Sequence, residues 1–406
     1  MKKAKRDLTI EEQLARGPMD LPFLMLVIML LGIGLIMVLS ASYASAYYDP
    51  KVSSPYYYFI RQLIFGVGGI AVLYFVSRIN YQTFRWLSVF VLIIAFVLLI
   101  MVLIPGIGIN HNNAQRWMKI LIFAGPEFQP SEVAKLAVIL FFAARLSKRN
   151  TEKKKKWNKT SLVGRICGFL DRIGLLELLP YAGILLIIAF LMIKEPHMSG
   201  TILILVAGAA ILFASGIKLY WFAGGGTLAA AALWFIITKT EYMTTRINIW
   251  LDPWIDPEGA GFQAIQARYA IGSGGLLGLG LGNSRQKFLY LPEPENDFVF
   301  AIVCEELGFI GAAIILILFA MLIIRGYWIA LHARDRFGAL LVVGITTLFA
   351  FQVFFNIGVV TGLLPVTGIS LPFFSYGGTA LIIQLAEMGI VLSVSRQIPA
   401  PKAGRQ

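Results

Sequence analysis

The stretch LPEPENDFVFAIVCEELGFIGAAIILILFAMLIIR, Leu291 to Arg325, decides the fold. From Phe298 onward it is almost unbroken hydrocarbon and longer than the roughly 20 residues a helix needs to cross a bilayer. Three carboxylates, Asp297, Glu305 and Glu306, stand at and just inside its start. Acids cost little in water and much in hydrocarbon, so carboxylates at the mouth of such a helix are candidates for chemistry. Nine further windows of the same kind lie outward from it, near 22–40, 58–78, 84–104, 130–147, 175–194, 198–216, 219–237, 336–361 and 371–395. The chain therefore reads as an all-α polytopic membrane protein of about ten transmembrane helices. A composition of 58% hydrophobic and 14% charged residues excludes a soluble domain of 406 residues.

Charge orients the bundle, because Lys and Arg gather on the cytoplasmic side. With the N-terminus inside, 24 of the 35 Lys and Arg fall on that side, in the tail 1–20, the basic loop 148–174, the short turns and the tail 396–406. The net charge of +13 is then a topology signal. The run KRNTEKKKKWNK, 148–159, faces anionic lipid and implies no nucleic acid. The first apolar run follows a polar tail of about twenty residues and exceeds a signal-peptide core, so it is an uncleaved helix despite Ala44-Ser45-Ala46. Cys167 and Cys304 fall in a cytoplasmic loop and a span, which argues against a disulfide. His111, His197 and His332 are scattered, and Gly278-Leu279-Gly280-Leu281-Gly282 lacks the strand-then-helix setting of a nucleotide fingerprint. No internal repeat of the kind many transporters carry is visible.

The largest outer loop runs over 238–297, between the seventh and eighth spans. It is too rich in aliphatic and aromatic residues for a disordered linker, and Gln263 to Ile271 has helical spacing. Such a loop packs on the outer membrane surface or dips into it, either covering a groove between helices or plugging the bundle. Asp297 at its end is open to two readings, an N-cap of the eighth span or a proton acceptor whose pKa partial burial would raise. Glu132 and Lys135 share a helix face on the fourth span and can pair there.

The motifs HNNAQRWMKI (111–120), FQPSEVAKLAVI (128–139), DPWIDPEGAGFQAIQARYAIGSGGLLGLGLGNS (252–284), LPEPENDFVFAIVCEELG (291–308) and TGISLPFFSYGGTALI (367–382) resemble the SEDS family of bacterial wall synthesis, the FtsW, RodA and SpoVE proteins. KEPHMSGT, Lys194 to Thr201, is similar to the FtsW and SpoVE branch of Gram-positive bacteria, while RodA-like members more often carry an acid where His197 stands. The resemblance implies a peptidoglycan glycosyltransferase that polymerises lipid II into glycan strands at the outer face of the cytoplasmic membrane, in cell division, with Asp297 as general base. Polymerisation needs a base for the attacking hydroxyl, cations for the leaving pyrophosphate and an apolar channel for the lipid tails.

Arg116, Lys119, Arg246, Arg268, Arg285 and Lys287 are the outer cations available for pyrophosphate, with Arg116 and Arg246 first. Gln263, Glu132 and Lys135 complete the candidate substrate set, and Glu305, Glu306, Trp117 and Ser375 are candidates for structural or cavity-lining roles. Asp252 and Asp256, each before or near a proline, either form turns or help hold a divalent cation, Mg or Mn. A lipid II flippase, and a scaffold that only recruits an enzyme, are the competing functions. The chain lacks a soluble transpeptidase domain, so the resemblance implies a class B penicillin-binding protein as partner, alongside other divisome proteins.

Overall fold

The computed structural model describes residues 17–398 apart from 51, 53, 112–113, 120–126, 150–167, 169, 172–173 and 240. The far ends of both tails, most of the basic loop 148–174, with Cys167, and residues 112, 113 and 120 of the 111–120 motif therefore lie outside the described residues. Among the described residues the long helices are α1 (Leu21–Tyr48), α2 (Tyr57–Arg78), α3 (Tyr81–Val102), α4 (Pro130–Leu146), α5 (Leu175–Lys194), α6 (Met198–Ala214), α7 (Leu219–Lys239), α10 (Val299–His332), α11 (Arg336–Val360) and α12 (Gly378–Ser395). They fall on the ten apolar windows, and seven of them are by themselves long and apolar enough to cross a membrane. The chain is a polytopic helical membrane protein.

The two described ends meet at one end of the bundle, as an even number of crossings requires. The Gly17 amide donates to the Arg396 carbonyl at 2.7 Å, and the Arg325 guanidinium grips the Asp20 carboxylate, also at 2.7 Å. Asp20 additionally caps α1 by accepting from the Phe23 amide, so one carboxylate starts a helix and ties it to α10. Nearby, Asp335 caps α11 and accepts from the Tyr81 hydroxyl and the Gln82 amide of α3. These side chains give the ends of apolar helices hydrogen-bonded partners that lipid cannot supply.

Three departures from the sequence reading concern the opposite end, which carries Asp297. The last apolar window begins at residue 371, yet α12 begins only at Gly378. Pro372 and the pair Gly377-Gly378 hold LPFFSYG, residues 371–377, out of the helix, and Phe373 adopts φ +67. The Ser375 hydroxyl accepts from the Leu371 amide at 2.7 Å and Gln62 of α2 donates to the Ser375 carbonyl, which closes this buried turn. The chain after α3 folds into a small antiparallel sheet, β1 (Gly108–His111), β2 (Ala114–Lys119) and β3 (Glu127–Phe128), in the order β1-β2-β3. Finally, α10 is broken at Gly308, whose φ +64 and ψ −170 lie outside the helical region.

The segment 238–297 is largely ordered. It carries α8 (Glu241–Leu251), a single 3-10 turn (Pro253–Ile255) and α9 (Phe262–Gly274), the last enclosing the stretch with helical spacing. Beyond α9 the chain turns back along α10 and pairs with its break. The Leu279 and Gly280 amides donate to the Glu305 and Glu306 carbonyls, and the Phe309 and Ile310 amides donate to the Gly275 and Leu276 carbonyls. Backbone groups freed by the break are thus satisfied by the returning loop. The approach is too close for side chains: a Cβ on Gly278 would lie 2.2 Å from the Glu306 carbonyl oxygen, and one on Gly308 2.3 Å from the Gly278 nitrogen.

Candidate active site

Asp297 sits two residues before the first residue of α10, half-buried, with its carboxylate accepting no hydrogen bond from the described residues. It is not the N-cap; that position is Phe298, and no side chain caps the helix. The main chain holds Asp297 in place. Asn356 of α11 donates through one amide nitrogen to both the Asp297 carbonyl, at 2.8 Å, and the Ile369 carbonyl, at 2.7 Å, tying the acid to the 361–377 loop. In that loop Gly368, at φ +69, comes so near that a Cβ on it would lie 3.3 Å from Asp297 Oδ2. Arg246 and Trp250 of α8 fix the same loop by donating to the carbonyls of Val366 and Gly362. Arg246 therefore holds the frame around Asp297.

Electrostatics link this acid to residues far away in sequence. Burial and the Glu293 carboxylate push the Asp297 pKa up to about 6, against the pull of Arg116. Arg116, on β2, donates to the carbonyls of Glu195 and Pro196 in the turn between α5 and α6. Its charge also bears on Glu195 and His197. Glu195 is fully buried with both carboxylate oxygens lacking a hydrogen-bond partner among the described residues, and burial raises its pKa to about 8, so it is mostly protonated at neutral pH. His197 is buried too, and desolvation with the nearby Arg116 and Lys135 lowers its pKa to about 3, leaving a neutral imidazole. Gly200 makes room for that ring, since a Cβ there would lie 2.6 Å from His197 Cε1. Glu132 and Lys135 form a buried ion pair of 2.7 Å in the first turn and a half of α4.

The structure thus gathers Asp297, Arg116, Lys135 and Glu132 into one polar region at this end of the bundle. It adds Glu195, His197, Glu293 and Asn356, which the sequence reading did not assign. Glu195 carried a signal, an acid opening a three-residue break between two apolar windows. Asn356, a lone amide inside an apolar span, carried another. Trp117 and Lys119 lie half-buried on β2, where Lys119 faces Glu127 across the sheet. Gln263 of α9 donates to the Pro292 carbonyl at 3.4 Å, bracing the approach to Asp297. Asp252 accepts from the Trp254 amide and Asp256 from the Gly259 and Ala260 amides, so both serve turns. Among the described residues no three His, Cys, Asp or Glu side chains come together as a metal site.

Lys287 belongs elsewhere. It is buried and donates to Glu306 at 2.9 Å, to the Ser40 hydroxyl of α1 and to the Gly282 carbonyl. Its neighbour on the helix, Glu305, points to a different set: the hydroxyls of Ser273 and Ser284 and the amides of Arg285 and Gln286. Lys287, Glu305 and Glu306 therefore pin the returning loop to α10 and α1, and Lys287 is not available to a ligand beside Asp297.

A polytopic helical membrane protein with a half-buried acid and a cation at the mouth of a broken helix is a narrow class. Residues 21–399 match the family model of the cell cycle proteins FtsW, RodA and SpoVE, and the chain belongs to that family. It is 43% identical over 378 residues to stage V sporulation protein E of Bacillus subtilis, covering 93% of this chain and 97% of that protein. It is 38% identical to a probable peptidoglycan glycosyltransferase FtsW of Trichlorobacter lovleyi, covering 95% and 96%. Among solved structures it is similar to a chain of a peptidoglycan synthase complex described as coordinating polymerization and crosslinking, with TM-score 0.72, 27% identity and 93% and 98% of the two chains covered. It is also similar to the rod shape determining protein RodA of Thermus thermophilus, with TM-score 0.66, 25% identity and 94% and 98% coverage.

Proposed function

We propose that this chain is a peptidoglycan glycosyltransferase that polymerises lipid II at the outer face of the cytoplasmic membrane, working with a class B penicillin-binding protein. Both tails are then cytoplasmic and the Asp297 end faces outward, as the distribution of Lys and Arg favours. The observation that carries the reading is Asp297 itself: a carboxylate without hydrogen-bond partners among the described residues, pushed up to about 6 by burial and Glu293, with the Arg116 charge nearby. Family membership and the names of the relatives supply the substrate class.

In this reading the sugar hydroxyl of one lipid-linked disaccharide gives its proton to Asp297 as its oxygen attacks the anomeric carbon of another. Undecaprenyl pyrophosphate leaves with the bonding electrons. A base with a pKa near 6 is ionised at pH 7 yet still basic enough to accept a proton in the transition state. Arg116 stabilises the charge that develops on the leaving phosphates and keeps Asp297 from being pushed higher. Lys135, held by Glu132, extends the positive region, while Arg246, Asn356 and Gly368 position the loop around the acid. No step is assigned to a divalent cation.

Polymerisation can be read alone by supplying purified lipid II to the complex with its partner after penicillin has blocked crosslinking. Glycan strands formed without any other polymerase support the reading. Their absence from an intact, correctly assembled complex refutes it.

A further inference from the structure

The loop that returns along α10 forms an open hollow of about 630 Å³, lined by Asn283, Arg285, Gln286, Phe288 and Tyr290. It shares no residue with the Asp297 region. Glu306, which fixes its inner wall, lies nine residues beyond Asp297, roughly 13 Å at 1.5 Å per helical residue. The wall is rigid for stated reasons: the amides of Ser284, Arg285 and Gln286 all donate to the Glu305 and Glu306 carboxylates, and Lys287 clamps the Gly282 carbonyl. Positive φ at Gly278, Gly280 and Gly282 gives the backbone its tight path.

Two polar groups of the hollow are left without partners. The exposed Arg285 guanidinium makes no hydrogen bond or ion pair with the described residues, only its backbone amide being engaged. Gln286 Oε1 is buried and accepts no hydrogen bond from the described residues. The rim is of opposite character. Leu281 and Leu289, which adjoin the lining residues in sequence, are exposed, as are Phe288 and Tyr290 of the lining itself. An exposed guanidinium with no partner among the described residues is free to take an anion. Its forked donors suit phosphate oxygens. A free phosphate ion would leave the leucines unused, whereas a phosphate carried on a lipid chain uses both.

We propose that this hollow binds the phosphate group of a membrane lipid, with Arg285 as counter-ion and the exposed leucines along the lipid chain. The site goes beyond the polymerase reading and does not depend on it. The phosphate has two possible sources with the same chemistry, a phospholipid headgroup or a polyprenyl pyrophosphate.

The full-length protein in detergent is titrated with phosphatidylglycerol, undecaprenyl pyrophosphate or phosphate-free diacylglycerol, and bound lipid is counted by native mass spectrometry. The Asp297 region is intact in every variant, so differences report the hollow. Arg285→Gln is expected to weaken binding of a phosphate-bearing lipid at least tenfold, with Arg285→Lys intermediate and diacylglycerol unchanged. Loss confined to phosphatidylglycerol assigns a phospholipid; loss confined to undecaprenyl pyrophosphate assigns the polyprenyl carrier; loss of both assigns a general lipid-phosphate site. Because the guanidinium holds nothing in the fold, equal melting temperatures for the three proteins are expected alongside. Unchanged binding of both phosphate lipids by Arg285→Gln overturns the proposal, as does an equal loss of diacylglycerol.

Discussion

Asp297 and Glu195 are two carboxyls raised by burial on either side of one arginine, and they should behave oppositely at neutral pH. With a pKa of about 6, Asp297 is ionised at pH 7, so a reaction that uses it as base should lose rate as pH falls through 6. That acid limb should vanish from the residual activity of Asp297→Asn, measured as glycan strand formation between pH 5 and 8. Glu195, at about 8, is mostly neutral at pH 7, so Glu195→Gln should retain activity there. A carboxyl whose folded pKa exceeds its unfolded one binds more protons when folded, and stability then falls as pH rises between the two values. The melting temperature of Glu195→Gln should therefore exceed that of the wild type by a margin that widens from pH 5 to pH 8 and then levels. Equal margins at both ends would mean that Glu195 is ionised in the fold. Neither role was fully legible in the residues. An acid before a membrane helix reads equally as cap or base, and only the empty cap position beside an unbonded carboxylate separates the two.

Among the elements, α10 and its returning loop are joined by a buried ion pair and by backbone hydrogen bonds at the break. The Lys287–Glu306 pair is buried, and removing one partner of such a pair leaves an uncompensated charge costing about 3–5 kcal/mol. Glu306→Ala should accordingly lower thermal stability in detergent by far more than Arg285→Gln. Gly308→Ala should also destabilise, because it forces a side chain onto a left-handed backbone and into the Gly278 nitrogen. The apolar windows located the helices well because lipid imposes one length and one polarity on every span. They missed the break at Gly308, the small sheet and the turn at 371–377 for a common reason. The break and the turn are stabilised by hydrogen bonds to residues distant in sequence, such as Phe309 to the Gly275 carbonyl and Tyr376 to the Glu295 carbonyl, and the sheet by backbone pairing, none of which hydropathy encodes.

For the whole molecule, charge bias gives an orientation that can be tested directly. In intact spheroplasts a cysteine at exposed Glu258 should react with a membrane-impermeant maleimide, while one at exposed Lys218 should react only after permeabilisation. The reverse pattern would invert the bundle and place Asp297 on the side where the outer-face reaction cannot occur. Composition and span count established the class of molecule, and the ordered motifs pointed to its family. The polar region around Asp297 was legible only in part, since β2, α4, the α5–α6 turn and the α11–α12 loop meet there from four separate stretches of chain.

The most direct test of the account compares wild type with Asp297→Asn, each purified with the penicillin-binding partner at matched complex yield, for polymerisation of lipid II. General-base loss is worth roughly 10²–10⁴-fold in rate, so the variant should assemble normally and form almost no strands. Undiminished polymerisation by Asp297→Asn would contradict the assignment of this residue as the base.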